Sequence, residues 1–151
     1  MSDLIFKDLP DLNDEIIRKI ALIDNSVPTE FDPSWQPNES DHEERSKQFK
    51  ELSQTGFFKV AFTENEVIGF HGIWRGKGPK KNLGMITTLW VHPRFRKRGI
   101  GKQLKQMGLE WARTLGLEYL QTSTHSNNTR MMEINSSAGF KPYAVTLRYK
   151  L

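Results

Sequence analysis

Between Leu83 and Ser123 the spacing of apolar residues changes period twice, and that change constrains the fold more than any other feature of the chain. The segment "LGMITTLWVHP" reads as a strand, ended by Pro93. From Ile100 the residues Ile100, Leu104, Met107, Trp111 and Leu115 step by four, three, four and four. That is the spacing of one helical face, with Gly116 as its C′ stop. "LEYLQTS" then reads as a strand again. A strand, a buried helix and a strand in succession make a parallel pairing, because the helix carries the chain back to its starting end. Ahead of this unit, "GFFKVAFTENEVIGFHGIWRG" reads as two strands about the turn Thr63–Glu66, an antiparallel hairpin. The spacing places a short helix over Asn128 to Ala138, ending at Gly139, and a closing strand in "FKPYAVTLRYKL". The class is therefore α/β, with a mixed sheet and helices on it.

The first third is helical. Asp11 to Ile23 carries Leu12, Ile16, Ile20 and Ile23 on one face, with Asp11 as N-cap. Ser40 to Glu43 reads as a capping box opening a second helix to about Leu52, whose thin apolar face suits the surface. Between them "NSVPTEFDPSWQPNES" is a loop that holds Phe31 and Trp35. No repeat or composition break divides the 151 residues, so a single domain over 1–151 is expected, helical over 1–55 with the sheet core over 56–151.

The chain has no cysteine, which excludes disulfides and thiolate-bound metal and suits a reducing compartment. Its start is acidic and amphipathic, unlike a secretory leader, and no apolar run approaches the ~20 residues that span a bilayer. A soluble, cytoplasmic protein without a membrane partner is the expectation.

Charge is unevenly placed. Residues 1–66 carry 15 acids against 7 bases, and residues 67–151 carry 3 against 15. The second part is suited to an anion, while the acidic first part disfavours a general polyanion binder. The bases concentrate in "VHPRFRKRGIGKQLKQ", between the end of a strand and the start of a helix, where open α/β sheets bind ligands. Gly99 and Gly101 let the backbone turn tightly and approach a ligand. The first helical turn adds unpaired amides and a positive dipole end, a setting for a diphosphate, with Arg94, Arg96, Lys97, Arg98 and Lys102 around it. Neither the Walker pattern nor the dinucleotide fingerprint is present. A nucleic-acid patch is the competing reading; it lacks an aromatic stacking platform or a known reader motif.

Arg96-x-x-Gly99-x-Gly101 resembles the R/Q-x-x-G-x-G/A signature of the GCN5-related N-acetyltransferase (GNAT) superfamily, with Val91 and Pro93 in the usual places before it. "NNTRMMEINSSAGFKPY" resembles that family's second cofactor segment. The likeness runs from about Val60 onward, and the first 50 residues match only as two helices of variable sequence. It implies the acyl-CoA N-acyltransferase fold, a mostly antiparallel sheet splayed at the cofactor site with helices on both faces. It further implies acetyl-CoA as cosubstrate and no metal. The backbone from Lys97 through Arg98, Gly99, Ile100 and Gly101 to Lys102 would hold the pyrophosphate, beside Arg96. Main-chain groups of Leu89, Trp90 and Val91 would bond the pantetheine arm and polarise the thioester carbonyl, a role in which one preorganised donor is worth ~3 kcal/mol. Asn128 matches the asparagine that contacts the arm, and Arg130 could reach the nucleotide end.

The sequence departs from the family at the proton-transfer positions. Many members carry a tyrosine seven residues after that asparagine, which protonates the departing thiolate; here the residue is Asn135, in the manner of an asparagine-bearing subfamily. An amide donates a hydrogen bond but no proton at neutral pH. Tyr143 or a water are alternatives. The usual glutamate base would sit near Ile86–Thr87 or near Ser123, and neither place is acidic. His125 and His71 can accept a proton, or the amine arrives neutral. His42 and His92 are read as solvated or structural, the helix stripe as core, and Lys105 and Arg113 as decoration of that helix's outer face. Phe31 and Trp35 either pin their loop or face an acceptor. Glu30, Asp32, Glu39 and Asp41 are surface charge, or an attraction for a cationic amine.

The leading expectation is an N-acetyltransferase acting on a primary amine of a small molecule or peptide, in a ternary complex, with a homodimer possible. The alternatives are an acyl-CoA-binding regulatory module without turnover and, behind it, a nucleic-acid-binding domain.

Overall fold

A computed structural model describes residues 3–151. Its elements are β1 (Ile5–Asp8), α1 (Asp14–Ser26), α2 (Glu39–Thr55), β2 (Phe57–Thr63), β3 (Glu66–Arg75), β4 (Leu83–Val91), α3 (Ile100–Thr114), β5 (Tyr119–Gln121) and α4 (Thr129–Ser137). The five strands form one sheet in the order β1-β2-β3-β4-β5. The first three junctions are antiparallel, and β4 pairs β5 in parallel, as the strand–helix–strand pattern requires. This is the mixed, mostly antiparallel sheet flanked by helices that the sequence implies.

The hairpin turn falls where expected. Glu64 and Asn65 take φ of 50° and 64°, the paired left-handed conformations of a two-residue hairpin turn. Two cores lie on opposite faces of the sheet. On one, Ile17, Ile20 and Ala21 of α1 and Phe49 of α2 bury Phe58, Val60 and Phe70. On the other, Ile100 and Leu104 of α3 bury Ala61 and Ile68.

Local differences from the expectations have physical causes. Helix α1 begins two residues later than expected because Asn13, not Asp11, caps it, accepting from the Ile16 amide at 2.9 Å. The capping box of α2 is Asn38 with Asp41 rather than Ser40 with Glu43. Strand β1 was not anticipated: four residues with largely exposed side chains carry no burial pattern to read. The buried line of α3 is Ile100, Leu104, Lys105, Gly108 and Ala112 rather than the stripe through Met107, Trp111 and Leu115. The reason is size. A Cβ on Gly108 would lie 2.8 Å from His71 Nε2 and from Ile73 Cδ1, so α3 rests on β3 along its small residues. That rotation places Lys105 inside, where the sequence suggested the outer face.

The closing strand does not form within the chain. Tyr143, Val145, Leu147, Tyr149 and Leu151 keep the alternation that suggested it, yet are 84 to 110% exposed. The ion pair of Arg148 with Asp32, at 3.1 Å, reaches back from this segment to the loop after α1.

Candidate active site

The site begins at an irregularity in β4. Gly72 of β3 faces Thr88, but its neighbour Ile73 faces Ile86, so Thr87 is an extra residue, with its hydroxyl donating to the Gly72 carbonyl at 3.2 Å. A bulge bends and twists the strand that carries it. Among the described residues the β4–β5 ladder ends at Met85 with Gln121, just before the bulge. Beyond it the two strands part, and a cavity of about 690 Å³ occupies the gap. Its walls are Ile86 to Trp90 of β4, Thr122 to His125 after β5, the facing sides of α1 and α2, and α4.

Several residues singled out in the sequence meet there: Leu89, Trp90, His125, Asn128 and Asn135, with Phe31 and Trp35 from the proline-rich loop. Trp35 both pins its loop and lines the cavity, its indole donating to the Asn25 carbonyl at 2.7 Å. Phe31 stacks on His125 with ring centroids 6.0 Å apart. His125 is exposed, and its Nδ1 accepts from the Asn127 amide at 3.1 Å. Asn128 caps α4, its side-chain oxygen accepting from the Met131 amide at 3.2 Å, which directs its remaining donor elsewhere.

The glycine loop lies outside this cavity, past the end of β4. His92 closes a tight turn by accepting from the Arg94 amide, and Arg96 Nε donates to the Val91 carbonyl at 3.0 Å. That bond engages the carbonyl of Val91, one of the three expected arm-binding residues. Lys97 and Gly99 have φ of 64° and 82°, and Gly99 is the N-cap of α3 with no side chain capping it. The amides of Ile100, Gly101 and Lys102 are the first of the helix and have no intrahelical acceptor. Arg98 rests on the Phe95 ring at 5.1 Å. Burial, then the charge of neighbouring Arg130, push the Arg96 guanidinium below its ordinary range, so the two cations lie near each other.

His71 is placed in the core, not in the cavity. It is fully buried between β3 and α3, its Nδ1–H donating to the Thr88 carbonyl at 2.9 Å, and Nε2 has no partner. Burial pushes it down to about 4, against the Thr88 hydrogen bond and with help from the charge of Lys105, so it is neutral at ordinary pH.

Sequence reasoning missed Lys105 and Thr124. Lys105 is 7% exposed and lines the cavity. Its ammonium donates to Asn135 Oδ1 at 2.7 Å and sits 4.4 Å over the Phe140 ring, while Asn135 Nδ2 donates to Thr124 Oγ1 at 3.1 Å. A signal existed: Gly101, Lys105, Gly108 and Ala112 step by four, three and four, a stripe of small residues interrupted by one lysine.

Residues 23–140 match the acetyltransferase (GNAT) family, and the chain belongs to it. It is 27% identical over 111 residues to a mycothiol acetyltransferase of Thermobispora bispora, covering 70% of this chain and 37% of that protein. The chain spans about a third of the length of the curated relatives it matches. In fold it is similar to the aminoglycoside N-acetyltransferase AAC(6')-Iy solved with CoA, with a TM-score of 0.69 and 17% identity over 100% of this chain and 96% of that one. A GNAT acetyltransferase of Staphylococcus aureus Mu50 superposes with a TM-score of 0.74 and 16% identity, covering 92% and 85%. Among the described residues no helix is long and apolar enough to cross a membrane.

Proposed function

We propose that this chain is an acetyl-CoA-dependent N-acetyltransferase that transfers the acetyl group to a primary amine by direct attack in a ternary complex. The observation that carries the reading is the parting of β4 from β5 at the Thr87 bulge, with the uncapped start of α3 at one end of the gap. In this reading the amides from Lys97 to Lys102 bind the pyrophosphate, with Arg96 and Arg130 supplying counter-charge. Main-chain groups of Leu89 and Trp90, together with Asn128, bind the arm and present a donor to the thioester oxygen. The acceptor enters between α1 and α2, where Asp41 and Glu44 line the cavity and favour a cationic amine, Asp24 there being paired with Arg45. His125, exposed at the same cavity, relays the amine's proton to water when the amine arrives protonated. Calorimetric titration with acetyl-CoA at two salt concentrations tests this. Saturable binding that outlasts added salt, followed by CoA release with a panel of cationic amines, is the expected result. Binding without turnover across the panel would favour a regulatory acyl-CoA-binding module, and duplex binding that falls steeply with salt would favour a nucleic-acid patch.

The same reading includes a homodimer built on the C-terminal segment. A line of alternating apolar side chains from Tyr143 to Leu151 stands in water, and β5 is the terminal strand of the sheet on that side. Pairing the segment along the sheet edge of a second copy covers both at once, by strand addition. Light scattering after gel filtration is expected to give a dimer, and Leu147→Lys a monomer with unchanged secondary structure. A monomeric parent protein would remove this part of the reading.

A further inference from the structure

Lys105 stands out among the groups that this function leaves unused. It is an ammonium in the wall of the acyl-transfer cavity, and among the described residues no carboxylate lies within ion-pair distance of it. A buried charge without a counter-ion is costly, and proteins keep such groups neutral or supply an anion. Here two neutral groups hold it in place: the Asn135 carbonyl oxygen at 2.7 Å and the face of Phe140 at 4.4 Å. Thr124 takes the amide's other end, so the oxygen of Asn135 is turned toward Lys105 by the network itself. This chain of Thr124, Asn135 and Lys105 ties the segment after β5, α4 and α3 into one support for a single ammonium.

We propose that Lys105 is the proton donor to the departing CoA sulfur, and that Asn135, at the position where a tyrosine would serve, is the residue that positions it. This rests on the acetyltransferase reading above. The step balances without another reagent. The amine lone pair forms the C–N bond to the thioester carbon, and collapse of the tetrahedral intermediate breaks the C–S bond with its electron pair on sulfur. Lys105 gives that sulfur a proton, the nitrogen of the new amide gives one to water, and Lys105 is recharged from solvent as the products leave. Burial pushes the Lys105 ammonium below the ordinary lysine range, which makes it a readier proton donor than an exposed lysine.

The other charges around it are accounted for. From β3 it is faced by His71, which is neutral, and β4 brings only the uncharged residues Ile86 to Trp90. α4 presents Asn135. The far wall carries Asp41, Glu44 and the ion pair of Asp24 with Arg45 at 2.8 Å, and exposed His125 stands after β5.

The test uses free CoA, whose thiol reports on its neighbour without any acceptor. Bound thiolate is followed by its ultraviolet absorbance as a function of pH, beside acetyl-CoA affinity measured by calorimetry. In the parent protein the bound thiol is expected to titrate at least about one unit below free CoA measured under the same conditions. In Lys105→Met it should return to about the free-CoA value while acetyl-CoA affinity changes by less than about threefold. Asn135→Leu, which leaves the lysine in place but unheld, should give a partial return. A bound thiol that titrates like free CoA in the parent protein overturns the proposal without recourse to any variant. So does a lowered value that survives Lys105→Met. Failure of both CoA and acetyl-CoA to bind would overturn the acetyltransferase reading itself, and the assignment of Lys105 with it.

Discussion

Gly99→Val is expected to weaken acetyl-CoA binding by roughly 5- to 150-fold while leaving the fold intact. The range is the cost of holding a β-branched residue at positive φ, about 1–3 kcal/mol, expressed as an affinity. The structure separates this cost from a packing defect. A Cβ at Gly99 meets no atom within 4 Å, so the substitution crowds nothing; what opposes it is the φ of 82° alone. In the free protein the exposed loop can relax away from the left-handed conformation. Binding then has to restore it, because only that turn sets the first amides of α3 beside those after Lys97. Calorimetry with acetyl-CoA measures the loss, and a urea titration checks the fold. Unchanged affinity would show that the pyrophosphate is held by the basic side chains and not by the backbone. Gly101 is a useful contrast, since a Cβ there meets only Val91 Cγ2, at 3.4 Å, in ordinary contact. Gly101→Ala should therefore be mild.

The place and backbone conformation of the glycine loop were legible in the sequence because their determinants are local. Arg96, Gly99 and Gly101 fall within six positions, and a strand ended by Pro93 and a helix from Ile100 bracket them. The hairpin was legible for the same reason: the conformations of Glu64 and Asn65 are a property of the turn and its two strands. What stayed hidden depends on contacts between distant segments. The Thr87 bulge opens the cavity, yet "GMITTLWV" reads as an uninterrupted strand because the extra residue exists only relative to the register of β3. Lys105 reads as an outward lysine until Gly108 and Ala112 are seen to set the face on which α3 lies. Its link to Asn135 spans 30 positions, and no periodicity records it. The C-terminal alternation shows the converse. The alternation reads as a strand, yet the segment joins no strand of the sheet and its apolar side chains stay exposed, because alternation records a residue's suitability for pairing and not whether an edge is within reach.

His71 gives the largest effect on stability. Its pKa is about 4 in the folded protein, set first by burial and then by the charge of Lys105, against 6.5 for an unburied histidine. The folded value is the lower one, so between these limits the unfolded chain binds more protons than the folded one. Stability is then full above pH 6.5 and is lost as pH falls toward 4, by about 3 kcal/mol across the window. Urea titrations at the two ends of the window measure it. Carboxylates protonate in the same range, so the decisive quantity is a difference of slopes: His71→Leu should remove most of the acid sensitivity while lowering stability at neutral pH by about 1–3 kcal/mol, because the Thr88 carbonyl loses its donor. Parallel slopes for the two proteins would mean that His71 titrates freely, and the packing of α3 against it would then be looser than the lack of room for a Cβ at Gly108 implies. The neutral ring also bears on the chemistry. A base must take up a proton in the course of each turnover, and a charged imidazolium in the core beside Lys105 would place two cations together with no anion between them. What the geometry gives His71 is a structural contact: it donates to Thr88, next to the bulge beside the cavity.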